Sequence, residues 1–203
     1  MMGLRHLGLA LIAPAVLFAA APPNPDVSRD TFLTGQLLIA AETMGDPRFQ
    51  NTVLVMVRHN GEGAMGLIVN RPLGEQPLAK LLDAIGEKSD GVTGSVPIYA
   101  GGPVERERAF VLHSGDYHVA GTLDITPEVA ATGSPEIFHA IGAKTGPGKF
   151  IILFGYAGWG AGQLESELAQ NAWYTAPFDS KLVFDADRDK LWEHALQRRT
   201  RDL

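Results

Sequence analysis

Apolar and polar positions alternate along this chain in patterns that predict its elements. Val53–Val57 (VLVMV) is apolar throughout, which predicts a strand covered on both faces. Leu37–Ala41 is another short apolar strand candidate, and Gly45-Asp46-Pro47 predicts a turn with Phe49 as a core anchor. Arg58–Gly63 carries turn chemistry, with Asn60-Gly61 its strongest hairpin signal, and Ala64–Asn70 returns as the partner strand. Gly66 inside it marks a bulge or a close backbone approach. Leu78, Leu81, Leu82 and Ile85 fall at i, i+3, i+4 and i+7, predicting a helix over Pro77–Ile85 that stops at Gly86.

Val96–Ala100 reads as a strand, with Pro97 at its edge or start, and Gly101-Gly102-Pro103 as a tight turn. Ala109–His113 and Val119–Ile125 follow as strands. Thr126-Pro127 and Ser134-Pro135 both have the form of a helix cap followed by proline, the second opening a helix over Pro135–Ile141. Phe150–Phe154 predicts a strand that enters a glycine-rich corner, Gly155–Gly162, and then an amphipathic run with Glu165, Glu167 and Trp173. Lys181–Phe184 reads as a strand, and Asp187 as the cap of a last helix burying Leu191, Trp192, Ala195 and Leu196. Strands in pairs with irregularly placed helices predict an α+β fold with a mixed, partly closed sheet.

The N-terminal region departs from this pattern. After Arg5, Leu7–Ala21 has no charge, resembling a secretory signal or retained anchor, with an extension from a misassigned start as the other reading. Fifteen residues fall short of the ~20 needed to span a bilayer. The expected organisation is therefore a signal-like segment 1–21, a proline-rich linker 22–30, one domain over 31–197 and a basic tail 198–203. The segment implies export or tethering to the inner membrane. The absence of cysteine excludes disulfides, thiol catalysis and iron–sulfur clusters, and a net charge of −6 disfavours a fold-wide grip on nucleic acid.

Four stretches carry a family resemblance: Gly35–Phe49, Arg58–Pro72 (RHNGEGAMGLIVNRP), Ala100–His113 (AGGPVERERAFVLH) and Leu153–Trp173 (LFGYAGWGAGQLESELAQNAW). Through them the chain resembles the bacterial family named after AlgH and YqgE. The resemblance implies an α+β fold, a single domain in which a small barrel-like sheet is surrounded by helices. It implies no reaction, and a cytoplasmic location in place of export. Arg58 stands where that family usually has an acidic residue before the histidine.

Several residues could carry chemistry. Gly158, Gly160 and Gly162 match neither the dinucleotide nor the phosphate-loop spacing. Glu165 and Glu167, two apart on a helix, point about 200° from one another and cannot share a proton. Glu165 alone and His113 remain as weak catalytic candidates, His113 as a general base. His113-x-x-Asp116-x-His118 has a spacing open to metal, but a metal site is not expected, and no cofactor is. His59 reads as part of a solvated turn. Asn70, Arg71, Gly101, Gly102, Gly158 and Trp159 are candidate ligand-binding residues; with His113 they form one pocket if the strand ends converge. The first functional reading is a non-enzymatic regulatory protein binding an unidentified protein or small molecule. The alternative is a small hydrolase using His113 or Glu165.

Overall fold

The five apolar side chains of Val53–Val57 are all buried, in strand β2 (Val53–Asn60). The computed structural model describes residues 32–200, so the signal-like segment, the linker and the end of the basic tail lie outside the described residues. Strand β1 (Gln36–Ala40) lies beside β2, and β3 (Gly63–Ile68) returns from it through Gly61-Glu62, with the Asn60 side chain accepting from the Glu62 N–H. Then follow β4 (Pro72–Pro77), helix α1 (Leu78–Ala84), β5 (Ser95–Ala100), β6 (Val104–Ser114), β7 (Thr122–Thr126), β8 (Val129–Thr132) and helix α2 (Glu136–Gly142). The chain closes with β9 (Phe150–Gly160), α3 (Gln163–Ala169), β10 (Trp173–Pro177), α4 (Ser180–Asp185), a 3₁₀ turn at Arg188–Lys190 and α5 (Leu191–Gln197).

The strands join in the order β10-β1-β2-β3-β9-β6-β8-β7, and β4 and β5 branch from β9. Every pair is antiparallel except β5 with β9. This is the mixed α+β single domain expected, with a strongly curled, half-barrel sheet. Period-two alternation explains why β2 is apolar throughout. Val53, Val55 and Val57 pack on the face covered by α4 and α5, whereas Leu54 and Met56 face α3 and its tryptophans. A third cluster unites Leu78, Leu81 and Leu82 of α1 with Ile137 and Phe138 of α2. Burying each such side chain contributes roughly 1.5–3 kcal/mol.

Five local expectations are corrected. Pro97 lies inside β5, which begins at Ser95 and is flanked by β4 and β9, so it marks neither an edge strand nor a strand start. Thr126-Pro127 opens no helix; Pro127 sits in the β7–β8 turn, because the apolar Val129–Thr132 continues as a fully buried strand. Lys181–Phe184 is helical, since the Asp179 carboxylate caps it by accepting from the Leu182 N–H. Gly155–Gly158 is strand, not corner, and the turn is confined to Ala161-Gly162. Finally, β4 and β10 are strands in segments with no strand pattern of their own, and β1 recruits β10 through register from Gln36↔Pro177 to Ala40↔Trp173.

Candidate functional site

A backbone crossing organises a place where several charged side chains converge. Between β5 and β6, residues Gly101–Pro103 pass over β9 at Gly155. The Gly101 N–H donates to the Phe154 carbonyl at 2.7 Å, and its own carbonyl accepts from Ile68 at 2.9 Å. A Cβ at Gly102 would overlap the Tyr156 backbone, and one at Gly155 would press on the carbonyls of Gly102 and Val104. Only glycine lets the two chains approach this closely. Gly101 and Gly102, candidate ligand-binding residues in the sequence, therefore build the crossing.

Beside the crossing, β6 makes an excursion. Val104 pairs with Tyr156 and Ala109 with Phe154, so Glu105–Arg108 stands opposite Gly155 alone. All four residues are exposed, and Glu105 has φ +47°, a conformation costly for a residue with a side chain. Arg108 pairs with Glu105 at 3.0 Å and lies over the Phe110 ring. Arg106 has no ion pair among the described residues and faces a cleft of about 280 Å³.

That cleft has an apolar floor of Ile68, Ala100 and Phe154, with Leu73 at its lip, and three guanidinium groups, those of Arg48, Arg71 and Arg106. No carboxylate lines it. Asp46 lies behind Arg48, held by a two-pronged contact at 2.6–3.1 Å, and the guanidinium keeps its carboxyl below the ordinary carboxylate range. Arg71 donates to the carbonyls of Gln50 (2.9 Å) and Pro47 (3.3 Å). Asn70 works beside it, donating to the Asn51 carbonyl and accepting from the Val53 N–H. Asn70 and Arg71 thus clasp the β1–β2 loop that carries Arg48.

An adjoining cleft shares Arg48 and Pro103 and is lined by Gly158, Trp159, Trp173 and Glu167. Its aromatic wall is fixed by Phe49, stacked 6.4 Å from Trp159 and edge-on to Trp173. Gly102 and Arg71 line the first cleft, and Gly158 and Trp159 the adjoining one. His113 lies at neither. It pairs with Phe150, nine residues of β9 from Trp159, roughly 30 Å at the strand rise.

Neither histidine singled out in the sequence offers a free nitrogen. His113 is fully buried, and its Nδ1–H donates to the Ser114 carbonyl at 2.9 Å. Its Nε2 therefore accepts from the Thr132 hydroxyl at 2.8 Å, which in turn accepts from Thr122. Burial pushes the imidazole pKa down, a shift partly offset by the Ser114 carbonyl. His59 is buried too, and not part of a solvated turn. Its Nδ1 accepts the Leu33 N–H at 3.0 Å, so Nε2–H donates to Glu165 at 2.8 Å. The weak catalytic candidates His113 and Glu165 are thus both engaged in structural hydrogen bonds. Asp116 and His118 turn to Ser114 and Asp124, away from His113. Arg48 and Arg106 escaped the sequence reading because the loop and the excursion meet only in the folded chain.

A family model described as AlgH-like matches residues 37–203. The chain belongs to the AlgH-like family. A UPF0301 protein of Rhodospirillum rubrum is 44% identical over 160 residues, covering 78% of this chain and 83% of that one. A relative from Jannaschia is 43% identical over 175 residues, covering 85% and 90%. The solution structure of the AlgH protein from Pseudomonas aeruginosa superposes with a TM-score of 0.73 at 42% identity, covering 84% of this chain and 90% of that one. A Corynebacterium diphtheriae protein, DIP2367, shares the fold at a TM-score of 0.64 and 16% identity, covering 83% and 87%. The AlgH-like fold is thus the setting of the arginine cleft, and none of these names specifies a ligand or a reaction.

Proposed function

We propose that this AlgH-like chain is a binding protein that holds an anionic ligand in the arginine cleft. It does not act as a hydrolase through His113 or Glu165. The observation that carries this reading is the convergence of Arg48, Arg71 and Arg106 on one apolar-floored cleft in a chain of net charge −6. Arg71 and Arg106 have no carboxylate partner among the described residues, and Arg48 shares its guanidinium with Asp46; such groups favour an oxyanion, which they recognise through planar paired hydrogen bonds. General-base chemistry needs an accessible nitrogen or carboxylate near the reacting atom, and the hydrogen bonds of His113, His59 and Glu165 leave none aimed into this cleft. Ligand capture without turnover is also the step a regulatory protein needs.

Arginine modification tests the reading. Phenylglyoxal should modify Arg106 and Arg58 in the free protein, and inorganic phosphate should slow modification of Arg106 but not of Arg58. Ester and amide probes should show no turnover above buffer. Equal modification of Arg106 with and without phosphate, or turnover lost in His113→Gln or Glu165→Gln, would overturn it.

A further inference from the structure

We propose that the ligand of the arginine cleft is a small amphiphilic oxyanion. Arg106 holds its carboxylate or phosphate head, with the part of the Arg48 guanidinium that Asp46 leaves free, and its apolar body lies along Leu73, Ile68 and Phe154. The inference rests on the binding reading above and narrows the ligand class.

Three observations define that class. The first is the cleft floor, which is hydrocarbon, whereas its charge is confined to guanidinium groups. A bare inorganic ion would satisfy the arginines and leave the floor wet. The second is exposure: Leu73 is 56% exposed and Val104 37%, two of the three large exposed hydrophobic residues among those described. Leu73 lines this cleft and Val104 the adjoining one, on either side of the Gly101–Pro103 crossing. Leu73 continues the apolar floor of Ile68, Ala100 and Phe154 out to the lip of the cleft, a surface that a hydrocarbon body would cover.

The third is the charge pattern around the cleft, which limits ligand size. Glu105 and Glu107 alternate with Arg106 and Arg108 along the excursion, and Asp46 and Glu167 line the adjoining cleft. A long polyanion leaving the cleft would meet these carboxylates, so nucleic acid and acidic polypeptides are poor fits. About 280 Å³ lies at the small end of ligand sites and suits one short chain or ring with a single head group.

Backbone and arginine side-chain NMR of the full chain tests this with defined probes. These are sodium octanoate below its micellar concentration, octyl phosphate, acetate, octanamide, and vesicles of phosphatidylglycerol. Octanoate or octyl phosphate should shift Arg106 and Leu73 saturably, with acetate and octanamide each binding at least tenfold more weakly. Arg106→Gln should weaken octanoate at least tenfold and leave octanamide unchanged. Leu73→Ser should bring octanoate close to acetate. Both residues are exposed, so both variants should fold. If acetate matches octanoate, the amphiphile is wrong while the binding reading stands. If no oxyanion moves the cleft, both fail. Binding to vesicles without an octanoate response would mean a membrane surface and would also overturn the inference.

Discussion

Trp159 and Trp173 end on the same oxygen. Their indole N–H groups donate to Glu167 Oε2 at 2.9 and 2.8 Å, and the other carboxylate oxygen accepts from Gln163. The rings cross at 80° with centroids 6.0 Å apart, so one side chain fixes both against Phe49. Replacing Glu167 with Ala should destabilise the fold by about 1–3 kcal/mol, because two part-buried donors lose their acceptor. Urea unfolding measures the loss. A loss of near-ultraviolet circular dichroism should accompany it, because the two rings lose their fixed orientation.

His113 makes stability depend on pH. Its folded pKa is depressed by burial, so between that value and the unfolded value near 6.5 the unfolded chain binds more protons. Its contribution is complete above about pH 6.5 and is lost as pH falls towards the folded pKa. His113→Gln should cost about 2–3 kcal/mol at pH 7.5, by breaking the chain from Ser114 to Thr132. The variant's deficit should shrink at pH 5. Chemical denaturation at the two pH values checks this, and a deficit that stays constant would contradict it.

The crossing separates glycines that are required from those that are not. Gly102→Ala should prevent folding or cost more than about 3 kcal/mol, because the added methyl has only backbone to displace. Gly160→Ala, with nothing within 4 Å of the new methyl, should be within about 0.5 kcal/mol of the parent. Thermal melts of the pair decide whether the crossing is as tight as described.

Asn70 and Arg71 should act on the β1–β2 loop before they act on anything else. Asn70→Ala removes the acceptor of the Val53 N–H and the donor to the Asn51 carbonyl, at about 1 kcal/mol or more. Hydrogen exchange should speed up at Val53 and its loop neighbours, with β6 and β8 unchanged. Faster exchange throughout the sheet would mean that Asn70 supports the core instead.

How much of this was legible in the sequence depends on distance along the chain. Val53–Val57 and the Leu78–Ile85 stripe declare themselves, because local periodicity reports which faces are buried. Lys181–Phe184 does not, since four residues cannot separate strand from helix and the deciding group is the Asp179 cap outside them. β4, with two prolines and a glycine in PLGEQP, is a strand only because β5 offers it a partner. His59 and Glu165 lie 106 residues apart, and no spacing rule joins them. The cleft is more hidden still: Arg48, Arg71 and Arg106 come from three segments, and only the crossing at Gly155 brings them together.

The proposed oxyanion is held through Arg106. The most direct test is the melting temperature of the full chain across a series of octanoate concentrations, parent against Arg106→Gln. A ligand bound only by the folded state stabilises by RT ln(1 + [L]/Kd), about 2.7 kcal/mol at a hundredfold excess over Kd. The parent should therefore melt at steadily higher temperature, and the variant should be stabilised by about half as much or less over the same range. An equal rise in both proteins, or none in the parent, would contradict the account.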